Sequence, residues 1–569
     1  MQETIHNAIK NTAKELGFST VNFDQIDFVV EQPRDKNHGD LASNFAMVTW
    51  KQLPHARRMM LRVRSPFSLA QKLAELLNGR IDSVEKVEAI EPGFLNFTLD
   101  RAYFKTALET ALAAGDAWGR NETEKGEQVI VEYTSPNLFK PLHVGNLVGN
   151  IIGESFTRLF ELSGADVKRA NYPSDIGLPV AKAVWGLKKT GNDVSKIEEL
   201  GAAYRVGNEA YEADGVEKAE IIAINQALYA DSDPELSALR QAGINTSNAQ
   251  INAICEKLGT HFDLEIFESQ AAPLGSQIVK DNIGGIFSES EGAIVYDGAK
   301  SGLHTRVFLN SKGLPTYEAK DIGHFRLKHD TYPHWTKSII VTGGEQAEYF
   351  KVVYAAIRAL FADAEGKHLE HIPTGFLTLN TGKMSSRSGN VLTGESIMAD
   401  METAAKERMT ENNDELANQV AVAALKYEIL RHGIGSNIVF DKEKALSFEG
   451  ASGPYLQYTY ARIQSVLAKA SEAGVPVDTQ RAPATTYAVE KMIEQFPSVI
   501  VAALAERAPQ TIVTYLTELA SEFNSFYAAE KIADASDEFA PYKAAVAQAV
   551  GQTLKQGLWA LGIEAPERM

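Results

Sequence analysis

Residues Val129 to Tyr172 leave little freedom to any fold that contains them. Val129-Ile-Val-Glu-Tyr133 is rich in β-branched and aromatic residues, the composition of a buried strand. The following Thr134-Ser-Pro-Asn-Leu-Phe-Lys-Pro-Leu142 cannot be helical, because Pro136 and Pro141 push the residues before them out of the α region. At His143-Val-Gly-Asn146 an apolar face opens at helical spacing through Leu147, Ile151 and Ile152. It runs to Leu162, and Gly164 is a natural stop. Val167 to Tyr172 returns as a second strand. The pattern predicts a βαβ unit whose long first loop feeds a helix N-terminus. Such an end favours anionic phosphate, and ligands of open α/β sheets collect at the carboxyl ends of the strands.

A chain of 569 residues is too long for one ordinary core, so several domains are expected. The hydrophobic fraction of 44% and charged fraction of 23% are those of a soluble globular protein. A net charge of -18 gives no global sign of nucleic-acid binding, although a local basic patch suffices for it. The single cysteine, Cys255, excludes an internal disulfide and a structural zinc site built on clustered cysteines, and it suits a reducing cytoplasm. The N-terminus has no apolar core of signal-peptide length, and no apolar run is long enough to span a bilayer.

Residues 1–118 read as a small α+β unit. A helix is expected from Ser68 to Gly79, with Ser68 and Gln71 in a capping-box pattern and Leu69, Leu73, Leu76 and Leu77 on one side. A strand is expected over Pro92–Phe97. The run Pro54–Arg64 is basic within an acidic protein, and is either a solvated helix face or a contact for RNA phosphate. Residues 119–390 carry strand–loop–helix signals, interrupted by a polar, helical insertion at about 187–258. Strand patterns return at 292–296, 305–310, 338–342 and 375–379. In 391–569 strand signals vanish. There Ile512, Tyr515, Leu516, Leu519, Phe523 and Phe526 share one helix face, as in an all-α bundle.

Two stretches carry chemistry. A neutral imidazole at His143, opening a helix, can donate to a phosphate oxygen, and Gly145 has no Cβ to obstruct a nucleotide. Lys383-Met-Ser-Ser-Arg-Ser-Gly-Asn390 places two cations, hydroxyls and a glycine in one short loop. Such a loop can fold over a polyphosphate and neutralise charge as pyrophosphate leaves.

Together these stretches resemble the HIGH and KMSKS signatures of class I aminoacyl-tRNA synthetases. Ser135–His143, Pro315–Asp321, Gly343–Gln346, Gly453–Arg462 and the ending Leu561–Met569 narrow the resemblance to the arginyl-tRNA synthetases. His38-Gly-Asp40 and Gly93-Phe-Leu-Asn96 are similar to that family's N-terminal domain. The resemblance covers nearly the whole chain. It implies an α/β fold: a Rossmann-like parallel-sheet catalytic domain, a small N-terminal α+β domain that touches the tRNA elbow, and a C-terminal all-α bundle that reads the anticodon. It implies ligation of L-arginine to tRNA(Arg) at the expense of ATP, with Mg²⁺ accompanying the nucleotide. A monomer is expected, with no membrane partner.

The residue roles follow position by position. Lys140, His143, Asn146, Lys383 and Arg387 are the expected catalytic set. His143, Gly145, Asn146, Lys383, Met384 and Ser385 are expected on ATP. Ser135, Asn137, Asn146, Tyr317, Asp321 and Gln346 are expected around arginine, with Glu132 and Glu268 as further negative charge. Asn96, Tyr455, Tyr458 and Met569 are expected on tRNA. Two departures stand out. Asn146 occupies a position where the family often has histidine, and Ser386 replaces the second lysine of many class I loops. In the family a lysine just before the first signature compensates, and Lys140 matches it. A planar, permanently charged guanidinium needs a fixed carboxylate and a flat wall. Tyr317 and Asp321, four residues apart, can face one site if the segment is helical or turns there. Spacing alone favours a packed tyrosine and a surface aspartate, while the resemblance favours the pocket.

Rival readings have specific objections. A cysteine-specific synthetase needs thiolate zinc ligands, and branched-aliphatic types need a larger editing insertion. A tRNA-binding paralogue without catalysis would not keep the reactive loop. A small-molecule nucleotidylyltransferase has no use for the last third of the chain.

Overall fold

The computed structural model describes residues 1–16, 18, 26–33, 35, 38–380, 392–409 and 413–569. The chain forms two compact units. The larger comprises Gly115–Ala473, Gln495–Ala533 and Val550–Met569. Its centre is a five-stranded sheet in which every pairing is parallel. In spatial order the strands are His368–Thr374, Lys337–Gly343, Gln128–Glu132, Asp166–Asn171 and Leu264–Glu265. The strand that comes first in the chain therefore lies at the middle, and connections run outward in both directions. This is the Rossmann order, with its switch point between Gln128–Glu132 and Lys337–Gly343.

The helix Val144–Leu162 leaves that switch point, and nearly all of it is buried. Its outer side meets the C-terminal region: Ser155 Oγ donates to Ala560 O at 3.1 Å and Arg158 Nη1 to Trp559 O at 3.1 Å. Gly153 is required there, since a Cβ would stand 2.3 Å from the Tyr133 ring. The expected insertion is helical: Ile197–Glu212, Val216–Ala230 and Pro234–Lys257 intervene before the edge strand Leu264–Glu265. A three-stranded antiparallel sheet, Phe287–Ser290, Ala293–Tyr296 and Arg306–Leu309, precedes the helix Tyr317–Thr331. The C-terminal region is helical, and all six residues of the expected apolar stripe on Pro509–Ala529 are buried.

The smaller unit gathers Met1–Ala114 with Gly474–Glu494 and Asp534–Ala549. Its four-stranded antiparallel sheet has the order Val30–Glu31, Leu41–Ser43, Phe94–Leu99, Val84–Ile90.

Two local expectations need correction. The first long helix starts at Pro66, with Ser65 as N-cap, and the capping box joins Ser65 to Ser68. Pro66 suits the first helical turn because the amide it lacks would have had no partner there. Strand structure also does not end at 391, because Ile438–Phe440 pairs in parallel with Leu377–Leu379. Three residues flanked by helices are too few to give a period. The basic run forms the helix His55–Leu61, in which Arg58 turns inward, donating to Leu53 O at 2.8 Å and lying over the Trp50 ring. Among the described residues no helix is long and apolar enough to cross a membrane.

Candidate active site

At the carboxyl ends of the central strands lies a cleft of about 1350 Å³. One wall is the loop that leaves Gln128–Glu132. Thr134, Ser135 and Phe139 all hold positive φ there, at 75°, 38° and 65°, which costs non-glycine residues energy and requires support. Asn146 supplies it. Its amide donates to Thr134 O at 2.8 Å and reaches Ser135 O at 3.4 Å, while Asn150 Nδ2 donates to Thr134 Oγ1 at 2.9 Å. Asn146 thus fastens the loop to the helix, a task that needs a donor and no titration. The Ser135 hydroxyl in this wall is buried with no hydrogen-bond partner among the described residues.

His143 caps the helix Val144–Leu162, its Nδ1 accepting from Gly145 N at 3.0 Å. Burial, and then the charge of Lys140, lower its pKa from the ordinary histidine value. The ring is therefore neutral at pH 7, and with Nδ1 accepting, Nε2 carries the proton. A Cβ on Gly145 would lie 3.2 Å from Nδ1, so glycine leaves this cap room. Lys140 lies near the Tyr204 ring, 5.2 Å from its centroid, with no carboxylate partner among the described residues. Burial lowers its pKa. This part of the cleft has a helix N-terminus, a neutral donor and an ammonium, and it suits polyphosphate.

The same cleft also has a cluster of acids. Asp321, on Tyr317–Thr331, accepts from Tyr349 Oη at 2.6 Å and has no cationic partner among the described residues. Burial, aided by the charges of Glu132, Glu268 and Glu318, pushes it up to about 8, against the pull of the Tyr349 hydrogen bond. Glu132 and Glu268 also line the cleft, but each already has a buried lysine at 2.6 Å: Lys328 for Glu132 and Lys320 for Glu268. Glu132 additionally accepts from His324 Nε2 at 2.7 Å. Burial alone would raise Glu132, yet Lys328 and His324 hold it well below the usual carboxylate range. Of these three acids, Asp321 is the one with no cation beside it among the described residues.

Of the expected site residues, the cleft is lined by Glu132, Ser135, Asn137, Lys140, His143, Gly145, Asn146, Glu268, Tyr317, Asp321 and Gln346. Lys383, Met384, Ser385 and Arg387 lie outside the described residues. Asn96 is elsewhere, buried in the smaller unit, where its amide holds His38 O at 2.7 Å. Its Oδ1 has no hydrogen-bond partner among the described residues. Tyr455 and Tyr458 lie on Gly453–Glu472, away from the cleft. Tyr455 Oη accepts from Asn524, and Tyr458, 39% exposed, lies under the Arg462 guanidinium. Met569, 38% exposed, ends the chain.

Sequence reasoning missed Tyr349, His324 and Lys328. Tyr317, Asp321, His324 and Lys328 recur at helical intervals, a polar stripe on a helix that should otherwise turn apolar residues to the sheet. That conflict was the available signal for His324 and Lys328. Tyr349 comes from another helix, and no spacing links it to Asp321.

Three family models match the chain in succession. Residues 2–99 match the "Arginyl tRNA synthetase N terminal domain", 107–442 the "tRNA synthetases class I (R), catalytic domain", and 456–569 the "DALR anticodon binding domain". The arginine–tRNA ligase of Levilactobacillus brevis is 32% identical over 561 residues, covering 96% of both chains. The chain belongs to the arginyl-tRNA synthetase family. Its activity is that of a class I arginine–tRNA ligase. The corresponding ligase of Parabacteroides distasonis is 30% identical over the full length of both proteins. The solved Thermus thermophilus arginyl-tRNA synthetase superposes with a TM-score of 0.77 at 25% identity, covering all of each chain. A Mycobacterium tuberculosis methionyl-tRNA synthetase shares the fold over 78% of the chain, at TM-score 0.50 and 12% identity.

Proposed function

We propose that the acidic part of the cleft holds the arginine guanidinium and that the part around His143 holds the ATP triphosphate. Asp321 supplies the charge, and Tyr317 and Tyr349 flank it. Ser135, Asn137 and Gln346 serve the α-amino and carboxylate groups. His143 donates from Nε2 to a phosphate oxygen, the helix N-terminus at Gly145 adds its dipole, and Lys140 adds a full charge. Asn146 positions the loop that carries these groups. Lys383 and Arg387, with Met384 and Ser385, complete the triphosphate site. Mg²⁺ enters as part of the nucleotide, held by phosphate oxygens and water.

The arginine carboxylate oxygen attacks the α-phosphorus, and the bond to the bridging oxygen of pyrophosphate breaks. The terminal 2′-hydroxyl of tRNA then attacks the arginyl carbonyl carbon, AMP leaves with the bonding pair, and the hydroxyl proton passes to the departing phosphate. In the first step the protein moves no proton. It aligns the two reactants and stabilises charge, which is how phosphoryl-type transfers are accelerated. Arginine activation is taken to require bound tRNA. Residues 1–118 are assigned to the tRNA elbow and 391–569 to the anticodon, where exposed Tyr458, with Tyr455 and Met569 on the same domain, would meet unstacked bases.

The observation that carries this reading is the mixed lining of one cleft: among the described residues, a Lys140 ammonium with no carboxylate partner beside a helix N-terminus, and an Asp321 carboxyl with no cation. Arginine-dependent ATP–pyrophosphate exchange, with and without tRNA, tests it. Asp321→Asn should raise the KM for arginine by about 10²–10³-fold, since it removes the charge from a buried pair worth several kcal/mol. The KM for ATP should barely move. Equal damage to both substrates would refute the assignment.

A further inference from the structure

Tyr172 takes no part in the roles assigned above. It follows the strand Asp166–Asn171 at the carboxyl edge of the sheet and borders the cleft. The residue is only 9% exposed, and its hydroxyl has no hydrogen-bond partner among the described residues. A buried hydroxyl is costly to leave unpaired, and such groups are uncommon in native proteins. The ring is also held firmly. It stacks on His324 with centroids 3.8 Å apart and planes 10° apart, and His324 is fixed in turn by Glu132.

The surroundings indicate what this oxygen awaits. Burial raises the phenol well above its ordinary pKa, and Asp321, Glu268, Glu132 and Asp175 all add to the effect. The hydroxyl is therefore neutral, in a field that repels anions and attracts donors. Glu268 and Glu132 are occupied by Lys320 and Lys328, and Asp175 by Arg240. Among the described residues, the Asp321 carboxyl has no cation and the Tyr172 oxygen has no hydrogen-bond partner, so both can accept from a ligand rich in N–H donors.

We propose that Tyr172 is a specificity-determining residue for the amino acid, its phenolic oxygen accepting a hydrogen bond from the guanidinium beside the charge contact at Asp321. This rests on the assignment of the guanidinium to Asp321. A carboxylate alone attracts any cationic side chain, and a lysine ammonium would satisfy it. A second acceptor fixed on a rigid ring demands a second donor at a set position, which the planar guanidinium supplies.

Tyr172→Phe keeps the ring and its stacking and removes only the oxygen. The whole enzyme with tRNA bound is titrated with arginine, with ATP, and with agmatine, which keeps the guanidinium and lacks the carboxylate. Arginine and agmatine should both weaken by about 10–100-fold, as for a lost hydrogen bond to a charged group. The KM for ATP should not change. The free protein should melt no lower than the parent, because the variant removes an unpaired buried group. Asp321→Asn is measured in parallel. Unchanged arginine and agmatine binding in Tyr172→Phe, with a strong loss in Asp321→Asn, would overturn the proposal alone. Weakened arginine with unchanged agmatine would also overturn it, by moving the contact to the other end of the substrate. A lower melting temperature with unchanged affinity would make the hydroxyl structural and overturn it. If neither variant affects arginine, the pocket assignment falls with it.

Discussion

Asp321 is a buried carboxyl raised to about 8 in the free protein, and a guanidinium selects its ionised form. Arginine binding must then release a proton below that pH. Affinity should rise about tenfold per pH unit up to about 8 and level off above it. Calorimetry in buffers of different ionisation enthalpy checks this directly. The sign for stability is opposite. A carboxyl whose folded pKa is raised contributes stability that is fully present below its unfolded value, is lost progressively as pH rises from there to about 8, and changes no further above; arginine should restore it. His143 and Lys140 carry lowered pKa values, so no new positive charge appears on His143 near neutrality. The motifs and their resemblance made His143, Tyr317 and Asp321 legible. The burial that moves Asp321 was not, because it is set by Tyr349 and by acids from Gln128–Glu132 and Glu268–Asp281, which only the fold assembles.

At the scale of elements, the strand–loop–helix–strand unit could be read almost to the residue, since its periods are long and prolines mark its loop. Its strained backbone could not. Nothing in Thr134, Ser135 or Phe139 signals a positive φ, a region these residue types rarely enter. The loop is held by the Asn146 amide, so Asn146→Ala should cost about 1–2 kcal/mol in urea unfolding, the usual range for a lost buried hydrogen bond. It should also lower the exchange rate, through misplacement of Ser135 and His143. If activity is untouched, the loop does not depend on this anchor. Gly153→Ala probes the packing of the same unit. Its new methyl would meet the Tyr133 ring at 2.3 Å, and overpacking of this kind costs about 1–3 kcal/mol, visible as a lower melting temperature. The strand Ile438–Phe440 escaped the reading because its partner, Leu377–Leu379, lies far away in the chain.

Over the whole molecule, the folded chain groups Gly474–Glu494 and Asp534–Ala549 with Met1–Ala114. A division read along the sequence is contiguous by construction and cannot show such a grouping. Within that unit Glu490 is buried, pairing with Arg101 at 3.0 Å and accepting from Tyr542. Glu490→Ala strands the guanidinium and should destabilise the smaller unit by about 3–5 kcal/mol, seen as an early melting step. In the larger unit one cleft is proposed to bind arginine at Asp321 and the nucleotide at His143. The most direct measurement is a crystal structure with a non-hydrolysable arginyl-adenylate analogue and tRNA. The guanidinium should lie within hydrogen-bond reach of Asp321 and the adenylate at the N-terminus of Val144–Leu162. A guanidinium seated against any other acid, with Asp321 still bonded only to Tyr349, would contradict the proposal.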